Sequence, residues 1–328
     1  MNNNKKTFKI FPSKIYKLRS WIPNDKLNWY ELFNNPNSTQ LLEENQNKIL
    51  CYAEASSNPN IVHLLEANPE KIDWCHLSIN KNAIHLLKEK LKTDPDKINS
   101  GMLSLNSNSA NLLRLYKNKI NYYYLSGNSS AIELLEENYN KIDWSELSRN
   151  INAIHLLEEK IKTDPDKINW YFLSRNINAI KLLESNLDKI NWLSISSNIN
   201  AIHLIENNLD KIDWCELSCN PNALHLLEQN SDKIDWSNLS KNQSAIHLLE
   251  ANLDKINWEL LSSNLCAMHL LEENQDKIDW DELSKNLAIF TYDYDYLKSK
   301  MEILREDLCK AVFHPLNEGR LWSFEEEF

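Results

Sequence analysis

Apolar positions along this chain come in short bursts, not in long stripes. A Trp is followed three residues later by Leu. A polar stretch leads to Ala-Ile-x-Leu-Leu, more polar residues end in Lys-Ile, and the order begins again. Both bursts carry the three-to-four-residue spacing of a helix face, and each is only one or two turns long. The Trp recurs at Trp170, Trp192, Trp214, Trp236, Trp258 and Trp280, each 22 residues after the last. Continued toward the N-terminus, the same position falls on Trp144, Tyr122, Ser100, Trp74, Cys51 and Trp29, with two steps of 26 residues and one of 23. The result is twelve copies of W-x-x-L-S-x-N-x-N-A-I-H-L-L-E-x-N-x-D-K-I-[DN].

The polar positions between the bursts carry helix signals. In KIDWSELSRN (141–150), Asp143 is a good N-cap and Glu146 stands three residues on, as in a capping box. Ile142 and Leu147 flank them as a hydrophobic staple. The Asn that ends this segment, Asn150, is expected to stop the helix in the left-handed conformation that Gly usually supplies. A second helix is expected to be capped by Asn152 and to carry Ala153, Ile154, Leu156 and Leu157. A second Asn closes it in the short units, as at Asn186 or Asn208. In the two long steps, EKLKTDPDK (89–97) and EEKIKTDPDK (158–167), the extra residues lengthen the second helix by one turn before Asp-Pro ends it.

Helix pairs this short bury an apolar face only by stacking on their neighbours. The pattern therefore predicts an all-α fold, an α-solenoid of about twelve 22-residue two-helix repeats with distinct caps. Residues 1–25 are assigned to an N-terminal arm and cap, with a helix within 8–25 anchored by Trp21. Residues 26–286 form the array, and 287–328 a C-terminal helical cap with a helix over 296–313 and a short turn after it. A leucine-rich-repeat-like solenoid is the rival, because Ile190-x-x-Leu193-x-Ile195-x-x-Asn198 fits its consensus. Its fourth position is polar elsewhere (Ser145, Cys215, Ser237, Asp281), which favours helices.

Composition narrows the function. The 328 residues include only 3 Gly, carry 36 basic against 47 acidic side chains, and have a formal net charge of −11. That balance argues against binding bare nucleic acid through general electrostatics. The six Cys lack a disulfide framework and do not pair with His in a metal pattern, which suits a reducing compartment. Cys215 and Cys219, four residues apart, read as two incidental thiols. The start, MNNNKKTFKIF, lacks a signal-peptide core, and no apolar run is long enough for a membrane span. Phosphate loops, nucleophile elbows and paired catalytic carboxylates are not found. No enzyme, cofactor or metal is expected.

Three columns run through the repeats. His63, His85, His155, His203, His225, His247 and His269 share one place in the second helix and could line a binding surface, although Glu133 and Lys181 replace them elsewhere. A Lys stands three residues before every Trp position, usually after Asp or Glu, and reads as a ladder of Lys–carboxylate pairs. The Trp column reads as packing between repeats. The positions one, two and five after the Trp vary most, and variable sites on a fixed frame are where partner specificity is written. The candidate partner-binding residues are accordingly Tyr123, Tyr124, Tyr171, Phe172, Arg149 and Arg175, together with His155, His203, His225, His247 and His269.

The repeat LSxNxNAIHLLExNxDKI[DN]W, filled here by 148–170, 196–214 and 218–236, resembles the short tandem-repeat proteins found in many copies in giant viruses of the mimivirus kind. The tail IFTYDYDYLKSKMEILREDLCKAVFHPLNEGRL (289–321) is similar to the tail those proteins often carry. The resemblance covers about residues 15–321. It implies a viral protein made in a host cell, in the cytoplasm or virion and not secreted, with a role in interaction. The leading expectation is thus a non-enzymatic scaffold for an unidentified protein partner. A modular nucleic-acid-binding α-solenoid is the alternative.

Overall fold

The computed structural model describes residues 15–48 and 51–312, with side chains as far as residue 306. The fold is an all-α repeat solenoid. First helices start at residues 29, 52, 74, 100, 122, 144, 170, 192, 214, 236, 258 and 280, and these define units 1 to 12. In units 1 to 11 a second helix follows, and a 3-10 turn or bend leads into the next unit. The first helices are four to six residues long, too short to persist alone. Among the described residues the repeats contain no strand, so the leucine-rich alternative is not the fold adopted. Helices Ile84–Thr93 and Ile154–Thr163 are the two lengthened ones, each stopped at Asp-Pro as the sequence predicts.

Every interface between units except that of units 1 and 2, where Phe33 replaces the Ser, repeats the same bonds. Asp143 caps its helix by accepting from the Glu146 amide at 2.9 Å, and Ile142 and Leu147 are buried beside it. The return arm of the capping box is supplied by the preceding unit, because the Asp143 amide donates to Ser126 Oγ at 2.9 Å. That Ser in turn donates to the Tyr122 carbonyl. One buried hydroxyl therefore satisfies a carbonyl in its own helix and a cap amide in the next.

The ladder Asn adopts an extended conformation, not the left-handed one expected of it: Asn176 has φ −74° and ψ 111°, and no described residue has positive φ. The extended backbone aims its amide at the preceding unit. Asn198 Nδ2 donates to the carbonyls of Ser174 and Asn176 at 2.9 and 3.2 Å, while its Oδ1 accepts from the Asn200 amide. Asn152 likewise does not cap the second helix. It donates to the Ser129 carbonyl one unit back, and Ala153 occupies the cap position without a side-chain bond. These Asn side chains serve as rungs between units, which is why the column of Asn150 and Asn198 is invariant, whereas that of Asn152 admits Ser130, Ser244 and Cys266.

Unit 2 shifts by one residue from the sequence reading. Tyr52, not Cys51, takes the Trp position, and Cys51 takes the cap position. The extra residue of the 23-residue step thus lies before the helix.

The array closes on itself. Asn35 of unit 1 donates to the carbonyls of Ser284 and Asn286 of unit 12, at 3.3 and 2.9 Å. The Asn28 amide donates to Ser284 Oγ, Asn37 reaches the Leu287 carbonyl, and Lys26 stands over the Trp280 ring. Each is the contact found between consecutive units elsewhere, so unit 12 precedes unit 1 as unit 1 precedes unit 2.

The termini seal this join and do not cap an open rod. Strand β1 (Tyr16–Leu18) pairs antiparallel with β2 (Phe290–Tyr292), and the Tyr16 and Tyr292 rings stack at 5.1 Å. The pair fills the place of the second helix that unit 12 lacks, with β1 against the second helix of unit 1, Thr39–Glu44. The expected N-terminal cap helix is therefore a strand and turn where it is described, and its first part, 8–14, lies outside the described residues. Trp21 does pack against the core, partly buried. The C-terminal helix runs Tyr294–Val312, close to the expected range, but its side chains from Lys298 to Glu306 are exposed, so that stretch does not cover the core. The turn expected after it lies outside the described residues.

Wedge-shaped units explain the closure. At the end of the first helix, neighbours are joined directly, side-chain amide to backbone carbonyl. The polar links between second helices run through the full length of two side chains, as in His203 to Glu184. In a closed ring the row with the smaller step has the smaller radius. The ladder row therefore lies inside and the second helices outside.

Candidate functional site

The structure divides the candidate residues between two surfaces. The His column lies on the outer row, and each His meets the Glu of the preceding second helix. His155 Nε2 is 2.8 Å from Glu136, His203 2.8 Å from Glu184, His225 2.8 Å from Glu206, His247 3.1 Å from Glu228 and His269 2.7 Å from Glu250. Units 4 and 5 keep the pairing with the charges exchanged, Arg114 binding Glu133 at 3.1 Å. The column is a set of inter-unit clasps, with the His side chains about half exposed.

The Lys column is engaged differently from the carboxylate ladder expected of it. Lys48, Lys211, Lys233, Lys255 and Lys277 each place their ammonium over a Trp ring at 4.4 to 4.9 Å. In the two lengthened units the extra turn moves the Lys column away, and Lys90 and Lys160 take over Trp74 and Trp144. Lys211 and Lys277 also donate to the side-chain oxygens of Asn208 and Asn274, at 2.9 and 3.2 Å, while the neighbouring Asp residues are exposed.

The other candidates converge on the first helices of units 5 to 7. Tyr171 and Phe172 meet edge to face at 5.6 Å and, with Arg149, Arg175, Ile151 and Ile177, line an open pocket of about 430 Å³. Arg149 sits over the Phe172 ring at 5.8 Å and pairs with Glu146 at 2.6 Å. Arg175 sits over the Tyr171 ring and reaches past unit 8 to Glu216 at 3.3 Å. Tyr123 joins through Glu146, whose carboxylate accepts its hydroxyl and holds its pKa above the usual phenol value.

Two of the three glycines make room for this cluster. A Cβ at Gly101 would lie 2.8 Å from the Tyr124 ring, and one at Gly127 would lie 3.1 Å from the Arg149 guanidinium. Tyr124 and Arg149 thus occupy seats that a larger residue would close. Sequence reasoning missed Glu146 as the link; its 3% exposure distinguishes it, and no local pattern announces that. Tyr171 and Leu193 remain 43% and 52% exposed, so the apolar face continues into unit 8.

Cys215 and Cys219 are free, and burial followed by nearby carboxylates pushes both thiols up, away from the reactive thiolate. Among the described residues, no helix is long and apolar enough to cross a membrane. No protein family, curated protein or solved structure matches the chain.

Proposed function

We propose that the ring is a non-enzymatic scaffold for a protein partner, acting as a viral protein within an infected cell, and that the partner docks on the first-helix face of units 5 to 8. The observation that carries this reading is the pocket in which Tyr171 and Phe172 stand between two guanidiniums. Rigid aromatic side chains with Arg beside them are the residue types that dominate binding energy at protein interfaces. Here they are set on a frame whose other columns are occupied in holding the ring together. The pocket suits a segment with an apolar anchor and an acidic neighbour. The modular nucleic-acid reading loses its main support, because the Lys ladder it requires is stacked on Trp rings.

Affinity purification from infected cells, with mass spectrometry, tests the proposal when three baits are compared. Wild type and His225→Ala retain a shared partner that Tyr171→Ala/Phe172→Ala loses. A double variant that folds and keeps every partner refutes the assignment of this face. Recovery of nucleic acid without protein refutes the scaffold itself.

A further inference from the structure

We propose that Asp73, Cys75 and His76 of unit 3 form a binding site for a thiophilic divalent cation, zinc above all. The three ligating atoms lie within 4.8 Å of one another, at the start of helix Trp74–Leu77. A thiolate, an imidazole and a carboxylate are the donor types zinc accepts, and three protein ligands leave its fourth position for water or a further carboxylate.

The state of His76 is the second observation. Its Nδ1 is enclosed and faces Asp73 Oδ1 at 3.1 Å, with no partner besides that carboxylate. An enclosed nitrogen facing a carboxylate and a thiol, with no further bond of its own, is arranged as a metal ligand would be. Asp73 Oδ1 already accepts the His76 amide at 2.9 Å and fixes the helix start. A carboxylate has a second oxygen with which to bind a cation. Asn99 of unit 4 donates to Cys75 Sγ at 3.3 Å, a bond that orients the sulfur.

Unit 2 gives up a regular cap, since Cys51 makes no cap bond to its helix and its thiol contacts Glu54 instead. Unit 3 keeps its regular cap, and Cys75 and His76 stand at the first two variable positions after Trp74, free of any part in the ladder. On binding, Cys75 sulfur forms a bond to the cation and its thiol proton passes to solvent, with no change of oxidation state.

Cobalt(II), a spectroscopic substitute for zinc, tests the site in the full chain. Wild-type protein is expected to bind one equivalent with a thiolate-to-cobalt charge-transfer band that one equivalent of zinc removes. Cys75→Ser abolishes the band, His76→Gln weakens binding at least tenfold, and Cys215→Ser changes neither. The proposal is overturned if wild type shows no band, or if Cys75→Ser keeps it or Cys215→Ser loses it. Circular dichroism of each variant shows whether the ring still folds. Should Cys75→Ser unfold, His76→Gln, which retains every thiol, decides the matter by its zinc affinity alone.

Discussion

The side-chain amide of Asn35 donates to the backbone carbonyl of Asn286 at 2.9 Å and so joins the first repeat to the last. The same amide reaches Ser284, and the same pair of bonds links Asn198 to Asn176 and Ser174 in the middle of the array. The seam is chemically one more interface, and its bonds are buried and satisfied.

Asn35→Ala should therefore open the ring. The substitution leaves the buried Ser284 carbonyl without a donor, takes one of two donors from the Asn286 carbonyl and removes the Asx turn to Asn37, a loss of about 2–3 kcal/mol. Asn198→Ala should cost a similar amount in urea unfolding. Only the seam variant should also enlarge the radius of gyration in small-angle scattering, because the interior interface is held on both sides by covalent chain. Equal dimensions for both variants would show that the strand pair alone keeps the ring shut.

Lys255 lies 4.4 Å from the Trp236 ring, whereas no such contact joins Lys189 to Trp170 among the described residues. Lys255→Ala should lower stability by about 0.5–1 kcal/mol and Lys189→Ala by much less. Trp236→Leu should remove the difference between Lys255 and Ala at position 255. Chemical denaturation of the four variants measures the coupling.

Acid should weaken the seam at Asp293. Its carboxyl is held below the usual value, first by the Tyr296 amide and also by Lys17, which lies 3.4 Å away. A lowered folded pKa means that the stabilisation is present above the ordinary carboxylate value of about 3.9 and is lost as pH falls through the lower folded value. Hydrogen-exchange protection of the Arg19 and Asp293 amides, which donate across the seam to the Ile289 and Ile15 carbonyls, should thus hold from neutrality to about pH 4 and fall below it. Asp293→Asn should flatten that acid limb. Lys17, raised by Asp293, adds a second loss at alkaline pH, above its raised value.

The local cassette was legible in the sequence and the ring was not. Asp143, Ile142 and Leu147 signal a helix start within a few residues, where the responsible contacts lie. The lengthened helices at 84–93 and 154–163 follow from the same short-range logic. Closure depends on a twelfth of a turn contributed by each unit, and that angle is set by the difference between a direct amide rung and a His–Glu clasp. Asn150 and Asn152 were misread because their partners are about 22 residues away, where a cap rule does not look. Lys255 was misread for a related reason: its sequence neighbour is an Asp, but its neighbour in space is a ring. At the candidate site, Tyr171 and Phe172 stood out as aromatic departures from a polar column. Glu146, which ties Tyr123 to Arg149, looked like an ordinary capping residue until its burial was known.

The outer clasps should be individually weak and collectively replaceable. Arg114 binds Glu133 at 3.1 Å and Glu137 at 2.8 Å, with both acids largely exposed. Exposed pairs of this kind couple by about 0.5 kcal/mol, less in high salt. Arg114→Glu should do more harm than Arg114→Ala, because it sets like charges against two carboxylates. Adding Glu133→His to Arg114→Glu restores the Glu-to-His order used by the neighbouring interfaces and should recover most of the loss. Thermal unfolding of the four proteins at low and high salt measures this. If the double variant is no more stable than Arg114→Glu alone, the pairing of second helices does not depend on these charges, and the outer row is held by the apolar side chains Leu134 and Leu113 beneath them.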